Sequence, residues 1–166
     1  MSTFTKLAGL SLASALTVTL ATSANAQLVT NKDLSMMMAV TMATAAIEAC
    51  KTAGYRVSAH VVGRNGEVIV AMRGDNTGPH TLENSMKKAY TARAQRRSSG
   101  EFADSVKGNF TAGALKLTNI TPAQGALPIK VGEDTIGAIG VSGAPGGDKD
   151  EACAKAGIDK VAAMLK

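Results

Sequence analysis

Flat apolar side chains are scarce in this sequence: it has no Trp, two Tyr and three Phe among 166 residues. With so few stacking platforms and no Lys/Arg block interleaved with aromatics, a nucleic-acid-binding surface is not expected, although the formal net charge is +5. Histidine is just as rare. His60 and His80 are the only imidazoles available as bases or ligands, and no G-x-S-x-G elbow is present, so a hydrolase triad has no foundation. Two His and two Cys, without companion clusters, also fall short of a protein-only zinc site.

Long hydrophobic runs are missing except at the start. Lys6, the uncharged run from Leu7 to Ala21 and then Ala24-Asn25-Ala26 read as a secretory leader with an A-x-A cleavage site. The run is shorter than the roughly 20 residues that cross a bilayer, so residues 1–26 are expected to be cleaved rather than retained as a membrane span. Residues 27–166 then form a single domain, long enough to bury a core, in a periplasmic or secreted setting. In an oxidising compartment Cys50 and Cys153 are expected to pair, tying the end of the first helix to the start of the last.

The remaining pattern gives an α+β order of helix, hairpin, two helices, hairpin, helix. The first helix is predicted from Asn31 to Ala53, capped by Asn31 or Thr30 and stopped at Gly54. Its polar stripe is only Thr41, Thr44 and Glu48. A helix this apolar should pack on its sheet and on a second body, for which another subunit is the simplest candidate. Its methionines read as adaptable packing rather than a soft-metal site.

Asn65-Gly66 predicts a hairpin with a two-residue loop that pairs Arg64 with Glu67. That register puts Tyr55, Val57, Ala59, Val61, Val68, Val70 and Met72 on the core face. The opposite face, with Ser58, His60 and Val62, is then a mixed surface for water, ligand or partner. Helices are predicted from about Pro79 to Arg97 and around Ser99 to Lys107, and a short element at Ala114 to Leu117. Leu127, Ile129 and Val131 alternate as a strand, Gly132-Glu133-Asp134 turns, and Thr135 to Ser142 returns. The last helix runs from an Asp148 N-cap to Leu165. Gly137 and Gly140 inside the returning strand mark close approach by a neighbouring backbone or a flat ligand. The glycines that follow match neither G-x-x-x-x-G-K-[ST] nor G-x-G-x-x-G, so a nucleotide loop is not expected.

His80 follows Gly78-Pro79, which can supply N-cap and N1 of the second helix and set His80 in its first turn. There it is either a solvated helix-entrance residue or a ligand. Lys87, Lys88, Arg93, Arg96 and Arg97 on the same helix are available to carboxylates, and those of the last turn also complement the helix C-terminus.

Three segments, "YRVSAHVVGRNGEVI" (55–69), "GPHTLENSMKKAYTARA" (78–94) and "GALPIKVGEDTIGAIGVSGAPGGDKDEACAKAG" (125–157), resemble the GlcG/HbpS haem-binding family, to which the PduO C-terminal domain is related. The resemblance spans essentially all of residues 27–166. It implies an antiparallel, roughly five-stranded sheet packed with helices, a homo-oligomer, and reversible, non-covalent haem binding in some members. His80 becomes the candidate haem-iron ligand and His60 the reserve; the helix cations would meet the propionates. The family name also includes haem degradation, for which the sequence itself holds no catalytic constellation. The alternative is an extracytoplasmic accessory or sensory module that binds another small ligand or a partner protein. Gly125-Ala126 stands where the family often has two glycines before Leu-Pro-Ile.

Overall fold

The computed structural model describes residues 27–109 and 112–166; the expected leader, residues 1–26, and Phe110 lie outside the described residues. The first helix, α1 (Met36–Thr52), starts later than Asn31 or Thr30 would allow. Ser35 caps it, its side chain accepting from the Met38 N–H at 3.2 Å. Asp33 instead turns its carboxylate onto the Leu34 N–H at 2.7 Å, an alternative that holds the chain outside the helix. At the far end the Tyr55 N–H reaches the Cys50 carbonyl and the Gly54 N–H that of Lys51, the paired bonds of a Schellman stop.

The first hairpin consists of β1 (Ser58–Val62) and β2 (Val68–Arg73). Four pairs, from Ser58 opposite Arg73 to Val61 opposite Val70, keep the predicted register, and a bulge then sets Val62 opposite Val68. The predicted Arg64–Glu67 pairing therefore gives way to a three-residue loop. The Gly63 and Glu67 backbones bond, the Gly66 N–H turns back to Gly63, and Gly66 has φ +81°. A type I turn followed by a left-handed glycine uses the same Asn-Gly pair as the two-residue turn, so sequence alone does not separate them. The shift leaves Val68 49% exposed instead of in the core.

Next come α2 (Thr81–Gln95) and α3 (Ser99–Ser105), the latter opened by a reciprocal capping box between Ser98 and Glu101. A 3-10 turn at Gly113–Lys116 occupies the short element expected there. The second hairpin, β3 (Ala126–Val131) and β4 (Asp134–Ser142), turns through Gly132-Glu133 alone. The last helix, α4 (Gly147–Val161), is capped by Gly146, which puts Asp148 inside the first turn rather than at the cap; a 3-10 turn (Ala162–Met164) ends the regular structure.

The strands form one antiparallel sheet in the order β2-β1-β4-β3. The class is α+β as expected, with four strands instead of roughly five. On one face α1 and α4 cover Val57, Ala59, Val61, Ile129, Ile139 and Val141. The second body that the apolar α1 required is thus α4 of the same chain, with Met36 and Met37 left exposed. Cys50 and Cys153 are bonded, joining these two helices across 103 residues of sequence.

The other face of the sheet is covered by α2, and here the expectation of a mixed open surface fails. Every residue of β1 is buried. α2 buries Thr81, Ser85, Lys88, Ala89, Thr91 and Ala92, against Ser58, His60, Val62, Ala138 and Gly140 of the sheet. Small and hydroxyl side chains on both partners let the layers approach closely. A Cβ at Gly140 would lie 2.3 Å from the Ser85 carbonyl and 2.6 Å from the Ala89 nitrogen, so only glycine fits beneath the helix.

Candidate functional site

Close packing of α2 on the sheet depends on hydroxyl groups that must find partners. Thr81 donates to the Gly78 carbonyl at 2.9 Å, so Ser58, 2.8 Å away, is the donor to Thr81. Likewise Ser85 donates to the Leu82 carbonyl at 2.9 Å, and His60 Nδ1 lies 2.8 Å from the same hydroxyl oxygen. The proton of that contact therefore sits on His60 Nδ1. Burial lowers the His60 pKa and agrees with a neutral ring. His60, 5% exposed, is a buried peg between β1 and α2.

His80 sits in the opposite environment. It is the N-cap of α2 rather than a first-turn residue, its side chain makes no capping bond, and it is exposed. Its ring folds back on Gly78, where a Cβ would lie 2.9 Å from Cε1. The ring lines a cleft of about 440 Å³ between the N-terminal ends of α2 and α4, bordered by Asn84, Ser142 and the loop from Gly143 to Gly147. His60 does not line this cleft, so the two candidate ligands are not brought together.

The floor of the cleft is a buried ion pair. Lys88 Nζ donates to Asp150 Oδ2 at 2.7 Å and to the Val141 carbonyl at 3.1 Å, while the Ala144 N–H donates to Asp150 Oδ1 at 2.9 Å. Burial raises the Asp150 carboxyl above its ordinary range, and Lys88 and the Ala144 N–H offset only part of that. Gly125, at φ +135°, passes directly over the pair: a Cβ there would lie 2.7 Å from Lys88 Nζ. Periodicity cannot reveal such a pair, because Lys88 and Asp150 belong to different helices and each reads as an exposed charge.

A wider groove of about 840 Å³ adjoins the cleft, with Gln124 lining both. Leu127, Pro128 and Ile158 give it an apolar side, and its charged lining is mixed: Arg96 and Lys130 stand with Glu101, Asp148 and Glu151, and Lys155 is paired with Asp159 at 2.6 Å. Of the cations expected on α2, Lys87 is paired with Glu83, Lys88 with Asp150, and Arg97 donates to Ser105 and lies over the Phe102 ring at 5.7 Å. Arg93 and Arg96 have no hydrogen-bonded or ion-paired partner among the described residues. Phe102 itself is buried, and Tyr90 is packed against its cluster. No group of three or more His, Cys, Asp or Glu able to hold a metal occurs among the described residues, and none of their helices is long and apolar enough to cross a membrane.

A family model described as "Haem degrading protein HbpS-like" matches residues 34–159, from just before α1 to near the end of α4. The chain belongs to the HbpS-like family. GlcG of Escherichia coli is 32% identical over 109 residues, 66% of this chain and 81% of GlcG. An uncharacterised 15.0 kDa protein of Citrobacter freundii is 35% identical over 86 residues, 50% of this chain; the match spans 61% of that relative. Among solved structures, HbpS superposes with a TM-score of 0.75 at 34% identity, over 83% of this chain and 94% of that one. A PduOC–haem complex shares the fold, with a TM-score of 0.69 at 24% identity over 76% and 94% of the two chains. The family match bears out the resemblance to the GlcG/HbpS family.

Proposed function

We propose that this HbpS-like protein binds haem non-covalently after export to the periplasm or outside the cell, and that it sequesters, senses or hands on the haem. Family membership over residues 34–159 carries the reading, and the structurally similar PduOC is seen in complex with haem. The residues present fit such a group. His80 is exposed on a cleft and free of a capping bond, and the adjoining groove offers an apolar side for a porphyrin face and Arg96 and Lys130 for its propionates. In this reading His80 would hold the haem iron, and the bound haem would supply an iron centre for ligation or redox chemistry. His60 ranks second, because its Nδ1 is engaged by Ser85 and α2 covers it. A homo-oligomer is part of the proposal, with Met36 and Met37, exposed on α1, as candidate apolar contacts.

The accessory-module reading draws on one observation. The His80 cleft is floored by an ion pair and walled by Asn84, Ser142 and glycines, a lining suited to a small polar ligand. Titration of the signal-free apo protein with hemin separates the two. A saturable Soret shift supports haem binding; no uptake, with another small molecule retained through purification, supports the module.

A further inference from the structure

Asn65-Gly66 is the only Asn-Gly pair in the sequence; every other asparagine is followed by a residue that carries a side chain. Glycine presents the least hindered backbone nitrogen, so this pair brings together the two groups of a spontaneous amide-loss reaction. Asn65 is exposed at the tip of the first hairpin, and its carboxamide makes no hydrogen bond among the described residues. Only its backbone N–H is held, donating to Glu67 Oε2 at 2.8 Å. The chemistry needs water and no other co-reactant. The Gly66 nitrogen attacks Asn65 Cγ and gives up its proton to solvent base, the Cγ–Nδ2 bond breaks, and the nitrogen leaves as ammonia with a proton from water. Water then adds to either carbonyl of the five-membered imide, and ring opening yields aspartate or isoaspartate.

The folded turn opposes the first step. The Gly66 N–H is engaged, donating to the Gly63 carbonyl at 3.1 Å. Asn65 holds the third position of a type I turn, where ψ is about 0°, and ring closure requires the Asn65–Gly66 peptide to rotate out of that setting. Tyr90 blocks the rotation. Gly66, at φ +81°, lies against the Tyr90 ring, where a Cβ would come within 2.6 Å of Cε2. The ring is in turn packed against the cluster of Phe102, Val106 and Ile120, so the turn is braced from the far side of α2.

We propose that Asn65 is the deamidation site of this protein and that Tyr90 latches it, so that the amide is lost only through openings of the β1–β2 turn. Such openings are local, since a hairpin tip can open without global unfolding. Isoaspartate lengthens the three-residue loop by one backbone carbon, and either acid adds a carboxylate beside Glu67. The inference does not depend on haem binding.

The test incubates protein lacking residues 1–26 in mildly alkaline buffer, folded and in urea, and follows aspartate and isoaspartate by peptide mapping. Asn65 should convert at least about tenfold more slowly in folded wild type than in urea, the ratio set by the opening equilibrium of the turn. Tyr90→Ala should accelerate the folded-state conversion, Tyr90→Phe should leave it unchanged, and Asn65→Gln should remove the signal at this position. Protection of the Gly66 amide against hydrogen exchange in wild type answers the same question if Tyr90→Ala folds poorly. Equal rates in folded and urea-unfolded wild type, an unprotected Gly66 amide, folded Tyr90→Ala at the wild-type rate, or conversion mapping to another asparagine would each overturn the assignment.

Discussion

Lys88 and Asp150 meet at 2.7 Å, one from the middle of α2 and the other from the first turn of α4, at 4% and 3% exposure. The contact joins helices on opposite faces of the sheet at the end of the cleft lined by His80. Removing one partner strands a buried charge. Lys88→Met and Asp150→Leu are each expected to lower the unfolding free energy by about 3–5 kcal/mol, and the double variant Lys88→Met/Asp150→Leu should recover a large part of that. Urea denaturation of the three variants measures it. Additive losses in the double variant would show that the two side chains do not act as a pair.

His60 makes stability depend on pH. Its pKa lies below 6.5 in the folded protein, so between the folded value and 6.5 the unfolded chain binds more protons. The His60 contribution is therefore complete above about pH 6.5 and is lost as pH falls through the folded value, with a limiting slope of about 1.4 kcal/mol per pH unit. The raised carboxyls Asp150 and Glu151 act with the opposite sign over their own windows. The difference between wild type and His60→Asn, which retains a donor for Ser85, isolates the histidine. Wild type should lose stability relative to the variant from pH 7 to pH 5; parallel curves would contradict a buried neutral imidazole.

Gly140 and Gly113 should answer the same substitution differently. Gly140→Ala drives a methyl into the backbone of α2 and is expected to cost at least about 1–3 kcal/mol. At Gly113 a Cβ meets nothing within 4 Å, and alanine there should change stability by no more than about 0.5 kcal/mol. Thermal unfolding of both variants compares them, and similar losses would count against the close approach of α2 to β4.

The helix-to-helix disulfide closes a long loop, so the double variant Cys50→Ala/Cys153→Ala should lose about 2–4 kcal/mol. Guanidinium denaturation with and without reductant checks it: reductant should destabilise wild type alone.

Most elements were legible because their signals are local. Gly54 marks the stop of α1, the Leu127–Ile129–Val131 alternation marks β3, and Asn65-Gly66 marks a hairpin. The loop length was not legible, since Gly66 serves both turn types. The covered second face of the sheet was missed for a different reason. Ser58, His60 and Val62 read as an open face for water, ligand or partner because burial by an apolar helix was the only burial the pattern could signal, while Gly140 did read as a place of close approach. α2 meets them instead with Thr81, Ser85 and Ala89, and hydroxyl pairing replaces apolar contrast. His80 was found from its position behind Gly78-Pro79, while the Lys88–Asp150 floor beside it depends on contacts 62 residues apart and leaves no periodic trace.

The central claim is tested most directly by a hemin titration of protein lacking residues 1–26, followed at the Soret band for wild type, His80→Ala and His60→Asn. The account predicts saturable binding by wild type, a near-normal titration for His60→Asn, and a shifted, weakened band for His80→Ala. Saturable binding with an identical band in His80→Ala would remove His80 as ligand, and no saturable binding by wild type would contradict the haem reading itself.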